Sequence, residues 1–197
     1  MESNFNTYLK EKAGVSADQF DRMKSKLLTK TIEKGQLILK SDQVCKHTFF
    51  VEKGLLRFYS IDEIGKEHLV QFAPENWFVS DRGSIYFNEP SAFFIDAIEE
   101  TQVVMLDRNF IEFASEISPE FRNHNAFLLQ NHIRMLQNRI NLLIGASAEQ
   151  RYLAFIKLYP DLMLRVPQWM IASYLGITPE SLSRVRKELA KKNFTKQ

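Results

Sequence analysis

Glu180 and Arg184 stand four residues apart in Thr178-Pro-Glu-Ser-Leu-Ser-Arg-Val-Arg-Lys187, with Ser181, Ser183, Arg186 and Lys187 around them. On a helix that spacing puts a carboxylate and a guanidinium on one face, one turn apart. So placed, the carboxylate can accept from cytosine N4 and the arginine can donate two parallel bonds to guanine O6 and N7. The neighbouring cations and hydroxyls suit phosphate oxygens. The same residues would also fit a solvated helix surface with an i,i+4 pair between Glu180 and Arg184, which contributes only about 0.3 to 0.5 kcal/mol. Turn chemistry on either side separates the two readings.

Thr178 has the side chain of an N-cap, and Pro179 after it suits the first helical position, where its missing N–H would have no partner anyway. Leu182, Val185 and Leu189 then recur at helical spacing on the side to be buried. Upstream, Pro167 opens a shorter helix at its first helical position, and Ile171, Ala172 and Leu175 form one apolar face. Gly176 ends it by taking a positive φ. Two short helices around a tight turn are a helix-turn-helix. The expected DNA-contacting set is Thr178, Glu180, Ser181, Ser183, Arg184, Arg186 and Lys187.

Charge distribution agrees with a localised polyanion contact. The net charge of the 197 residues is +2, yet residues 146–197 carry nine Lys and Arg against four Asp and Glu, which is +5 and leaves −3 elsewhere. One cysteine, Cys45, excludes an internal disulfide framework and a four-cysteine iron–sulfur cluster, and reads as a buried thiol in a reducing compartment. No segment approaches the ~18 uninterrupted apolar residues of a membrane span, and Met1 to Lys10 has no signal-peptide pattern, so the expected location is cytoplasmic. Catalysis is not expected. His47, His68, His124 and His132 form no metal cluster, and no Ser-His-Asp order, Walker loop or Gly-x-Gly-x-x-Gly occurs.

The elements that must carry this reader come earlier. Phe5 to Leu28 has helical spacing, broken near Gly14 and restarted by Ser16 as a cap. From Thr29 to Asp107 short β-type runs alternate with turns at Lys34-Gly35, Lys53-Gly54 and Ile64-Gly65. Strands are expected at 29–32, 37–40, 47–53, 55–61, 66–73, 93–97 and 102–107, in an antiparallel roll closed by a short helix over 108–116. Ser118 and Pro119 then start a helix that runs to Ile144. In it Leu129, Ile133, Leu136, Ile140 and Leu143 step by four and three, a heptad seam suited to a homodimer. Phe121, Leu128, Met135 and Leu142 form a second stripe. One helix folded wholly on its own domain is the ordinary meaning of such a stripe; two apolar faces call for two packing surfaces. Gly145 is expected to end this helix as a hinge. The fold class is therefore α+β: an N-terminal antiparallel β-roll with helices (1–117), a dimerisation helix (118–145) and a C-terminal helix-turn-helix domain (146–197).

That order of elements resembles the Crp/Fnr superfamily of bacterial transcription regulators over essentially the whole chain. The resemblance is carried by Lys34-Gly35, by Phe50-Val-Glu-Lys-Gly-Leu-Leu-Arg57 at the family's Gly-centred hairpin, and by Gly176-Ile-Thr-Pro-Glu-Ser-Leu-Ser-Arg184. It implies a cyclic-nucleotide-binding-like roll, a dimer on a pseudo-palindromic operator, base reading by Glu180 and Arg184, and RNA polymerase as a partner. The family's further base-reading arginine falls on Pro179, so preference at that base pair should differ. The family's two-stranded wing would have to be truncated or built from residues such as Met163 to Val166, because the tail Lys191 to Gln197 reads as a short loose end.

The departure lies in the effector pocket. Cyclic-AMP-binding relatives have a Gly-Glu pair and, about ten residues on, an Arg-Ser/Thr-Ala. Here Ser80-Asp81 replaces the first, and Pro90-Ser91-Ala92 removes the arginine. Without that cation a buried cyclic phosphate loses a contact worth about 1.5 to 3 kcal/mol, so ordinary cyclic AMP is not expected. Arg82 would substitute only with a different loop path. Ser80, Asp81, Arg82, Ser91, Ala92 and Gln137 are the candidate effector residues. Trp77, Phe78, Tyr86, Phe87, Phe93 and Phe94 either fill a phenylalanine-rich core or line a cavity for a small apolar or planar effector. The alternative to a DNA-binding regulator is an effector-binding sensor or interaction module whose helix-turn-helix no longer works.

Overall fold

The computed structural model describes residues 3–194. The side chain of Ser3 caps α1 (Asn4–Ala13), which ends at Gly14 with φ 70°, and Ser16 starts α2 (Ala17–Lys24) by exchanging bonds with Gln19. The strands follow: β1 (Leu28–Ile32), β2 (Leu37–Leu39), β3 (His47–Lys53), β4 (Leu56–Ile61), β5 (Glu67–Ala73), β6 (Phe78–Val79), then a short helix α3 (Arg82–Phe87), β7 (Phe94–Ala97) and β8 (Thr101–Asp107). All the strands expected from sequence lie within one residue of their expected limits. β6 and α3 were not expected.

Pairing is antiparallel throughout, in two sheets of order β1-β8-β3-β6 and β2-β7-β4-β5. One buried cluster takes side chains from all eight strands, among them Ile32, Leu39, Phe49, Leu56, Ala73, Val79, Ile95 and Val103. Alternation sends the next residues the other way. Phe50, Val104 and Leu106 pack with Phe5, Leu9 and Met23 of α1 and α2, and with Phe110 and Ala114 of α4 (Arg108–Ile117). One tight place requires glycine: Gly54 has φ 98°, and a Cβ there would meet Glu100 O at 2.5 Å and Thr101 Oγ1 at 2.6 Å.

On β4, Arg57 is buried with its charge answered. Its Nε and Nη2 donate to Asp96 of β7 at 2.7 and 2.8 Å, Nη1 pairs with Glu67, and the guanidinium lies over the Tyr59 ring at 4.1 Å. Tyr59 also donates to Asp96 at 3.1 Å. Burial pulls the Arg57 pKa down, and Asp96 and Glu67 more than reverse it, so this side chain stays protonated.

Helix α5 (Pro119–Gly145) begins where Ser118 accepts from the Phe121 N–H. Phe121 is buried, and Leu128, Met135 and Leu142 are half-buried. The heptad residues Leu129, Ile133, Leu136, Ile140 and Leu143 are 36 to 55% exposed. Gly145 is the last helical residue, and Ala146 still donates to Leu142 O, so the helical bonding runs one residue past the expected hinge. Contacts divide the chain into two compact units, with the boundary inside α5 between Gln130 and Asn131.

The second unit adds α6 (Ala148–Leu158), α7 (Leu162–Arg165), α8 (Gln168–Leu175) and α9 (Pro179–Phe194). Its buried side chains include Phe155, Leu162, Ile171, Leu175, Leu182 and Val185, while Leu189 is only half-buried. Three expectations need correction. Met163 to Val166 does not build wing strands: this stretch is α7 and its cap, and among the described residues the second unit has no strand. Pro167 takes the N-cap position of α8 with extended backbone, not the first helical one. Lys191 to Phe194 continues α9, and Thr195 to Gln197 lie outside the described residues.

Candidate nucleic-acid interface

The turn that presents α9 is built from backbone bonding. Gly176, with φ 65°, donates to Ala172 O and Ser173 O, and Ile177 donates to Ala172 O, which closes α8. Three residues later Thr178 Oγ1 accepts from the Ser181 N–H at 3.2 Å and caps α9. Leu182 and Val185 point into the unit's core. The other side of α9 is open: Thr178, Glu180, Ser183, Arg184 and Lys187 are exposed, and Ser181 and Arg186 are half-exposed.

Glu180 and Arg184 share this face without pairing. Arg184 Nη2 donates to Ser181 Oγ at 3.3 Å, and the Glu180 carboxyl is held below its ordinary range by its own backbone N–H and then by the Thr178 hydroxyl. Glu180 is thus an ionised acceptor at neutral pH, as a contact to cytosine N4 requires. Lys192 is engaged elsewhere: its Nζ lies 2.8 and 2.9 Å from the Glu149 carboxylate oxygens.

Sequence reasoning missed two arginines behind the turn. Arg139 of α5 stacks over the Tyr174 ring at 3.7 Å and donates to Tyr174 O at 3.1 Å, and Arg151 of α6 donates to Leu175 O at 2.8 Å. Cations at a helix C-terminus are a known preference, but these stand 35 and 24 residues from their acceptors, beyond any local pattern.

Of the candidate effector residues, Asp81 and Ser91 come together. Asp81 caps α3 by accepting from the Ser84 N–H at 3.1 Å, and its other oxygen accepts from Ser91 Oγ at 2.7 Å. Ser84 in turn accepts from the Cys45 N–H at 2.8 Å, and the Cys45 thiol is buried. Asp81 and Ser91 therefore hold α3 against its neighbours. Arg82 lies over the Tyr86 ring at 5.0 Å, Ser80 is half-buried, and Ala92 is exposed. Gln137 is exposed on the part of α5 that belongs to the second unit.

Nor do the six aromatic residues line one cavity. Trp77 and Phe93 pack on the core between the sheets, and Phe93 meets Phe58 at 4.6 Å. Phe78 meets Phe50 and Tyr8 under the helices, Phe94 stacks on Tyr59, and Tyr86 and Phe87 face solvent. Of the two readings, a phenylalanine-rich core and an aromatic-lined cavity, the placement of Trp77, Phe78 and Phe93 fits the core. Nearness in sequence placed these rings together; in the structure Phe93 and Phe94 take different partners at the start of β7, and Tyr86 and Phe87 lie on α3.

Residues 29–116 match the cyclic nucleotide-binding domain family. The chain is 27% identical over 185 residues to the anaerobic regulatory protein of Pasteurella multocida, which covers 88% of this chain and 66% of that protein. It is 27% identical over 188 residues to the fumarate and nitrate reduction regulatory protein of Yersinia pestis, covering 90% of this chain and 74% of that one. The chain thus spans about two thirds of the length of the first relative and three quarters of the second. FixK2 from Bradyrhizobium japonicum has the same fold, with a TM-score of 0.70 at 20% identity over 85% of this chain and 86% of that one. Shared fold and aligned sequence together support a Crp/Fnr-like regulator.

Proposed function

We propose that this protein is a sequence-specific DNA-binding transcription regulator and not an enzyme. It acts as a homodimer joined along Leu129, Ile133, Leu136, Ile140 and Leu143, with each α9 in a major groove of a pseudo-palindromic site whose halves lie ~34 Å apart. The carrying observation is the free face of α9: a helix capped by Thr178 that holds an ionised Glu180 and an Arg184 one turn apart and unpaired with each other. Relatives named as regulators support the reading, and RNA polymerase is the expected partner of the bound dimer. Any effector is a small molecule other than ordinary cyclic AMP. Asp81 stands where cyclic-AMP-binding relatives have the glutamate of their Gly-Glu pair, and its carboxylate is already committed to Ser84 and Ser91. The deciding experiment is selection from random duplex oligonucleotides by the purified full chain, with and without cell metabolites. A two-fold symmetric consensus is the expected result, and failure to enrich any sequence overturns the reading.

A further inference from the structure

The last four carbonyls of an α-helix have no partner within it. In α8 those of Ala172 and Ser173 accept from Gly176 and Ile177. The remaining two, Tyr174 O and Leu175 O, accept from Arg139 and Arg151, so the end of α8 is satisfied by two cations reaching in from α5 and α6. Arg139 is held flat on Tyr174, whose ring packs against Phe155 at 5.4 Å and Tyr159 at 5.6 Å. Arg151 makes its bond at a cost, because its Nε is buried with no partner among the described residues. Between them lies the turn: a Cβ on Gly176 would stand 3.3 Å from Leu143 Cδ2 and 3.4 Å from Arg151 Nη1. Only Gly176, Ile177 and Thr178 separate the clamped carbonyls from the first residue of α9.

We propose that Arg139 and Arg151 are positioning residues for DNA recognition, which lock the turn to α5 and α6 and so set the direction in which α9 points. The inference rests on the DNA-binding reading above and adds to it a physical link between the dimer helix and the base-reading helix. Both arginines are half-buried with donors turned inward, so neither is a phosphate contact. Two subunits joined along α5 would hold their α9 helices at one separation only while both clamps are closed.

The test uses the full chain and duplexes whose two half-sites are moved one base pair closer or farther apart than in the selected consensus. The unaltered chain should prefer one separation by about tenfold. Arg139→Met and Arg151→Met should each bind the best duplex less tightly and reduce that preference to about threefold or less. The salt dependence of binding should not change, since no phosphate contact is removed. Arg151→Lys keeps a cation and a donor, and Arg139→Lys keeps the charge without the flat stack. Both should restore part of the preference, and they carry the test if the methionine variants do not fold. Variants that discriminate spacing as sharply as the unaltered chain, with affinity falling only as their melting temperature falls, overturn the inference. An unaltered chain that prefers no duplex overturns the DNA-binding reading and the inference with it, which keeps the two failures apart.

Discussion

Arg184 rests on Ser181 through a long, exposed bond of 3.3 Å, which a guanine edge can replace with two better ones. Arg184→Ala is expected to weaken binding to the selected operator by about 1 to 3 kcal/mol and to relax discrimination at one base pair. Lys187→Ala should instead weaken all sequences alike and lower the salt slope by about 1. Competition titrations with duplexes substituted at each position distinguish the two, and an equal loss on every duplex for Arg184→Ala would count against base reading. A different residue governs the roll. Asp96 is buried and accepts from Nε and Nη2 of Arg57 and from the Tyr59 hydroxyl, so Asp96→Ala takes one of two carboxylates from the buried Arg57 and leaves it to Glu67. The expected loss is about 3 kcal/mol, read from the urea unfolding midpoint, and a loss under about 1 kcal/mol would show that Glu67 or water answers the Arg57 charge without Asp96.

At the level of elements, strands were legible because period-2 alternation and glycine turns repeat along 29–107, and the long helix because 27 residues pass without an internal break. β6 is too short, at two residues, to show a period. α3 contains Gly83 and is held by caps at Asp81 and Asn88, information that lies at its ends and in its neighbours. The proposed base-reading face could be read from its N-cap and spacing, whereas the proposed arginine clamp joins residues that only the fold brings together. Contact between α1 and α5 gives a pH prediction of its own. Tyr8 of α1 lies 2.8 Å from His124 Nε2, and burial lowers the His124 pKa and raises that of Tyr8 to about 12. His47 is also lowered, by burial first. A histidine that is harder to protonate when folded binds fewer protons in the native state, so stability is full above about pH 6.5 and declines as pH falls through the folded values. Thermal unfolding at pH 7.5 and 5.5 should show this loss, and His124→Asn should flatten part of it. A variant with the same acid slope would remove His124 from the account.

For the molecule as a whole, the apolar seam on α5 and the basic end of the chain matter together. Ile140 is 55% exposed at the middle of the C-terminal half of that seam, so Ile140→Asp should halve the mass seen by light scattering and abolish tight operator binding. A variant that keeps both the dimer mass and the operator would place the subunit contact elsewhere. The packed space between the two sheets has a further consequence, one of timing. With Phe58 buried and Trp77 and Phe93 packed on that core, a guest molecule seated between the sheets would have to wait for them to part. Its uptake rate would then climb with guest concentration only to a ceiling set by that opening, and stopped-flow traces on the Trp77 signal would level off however much was added.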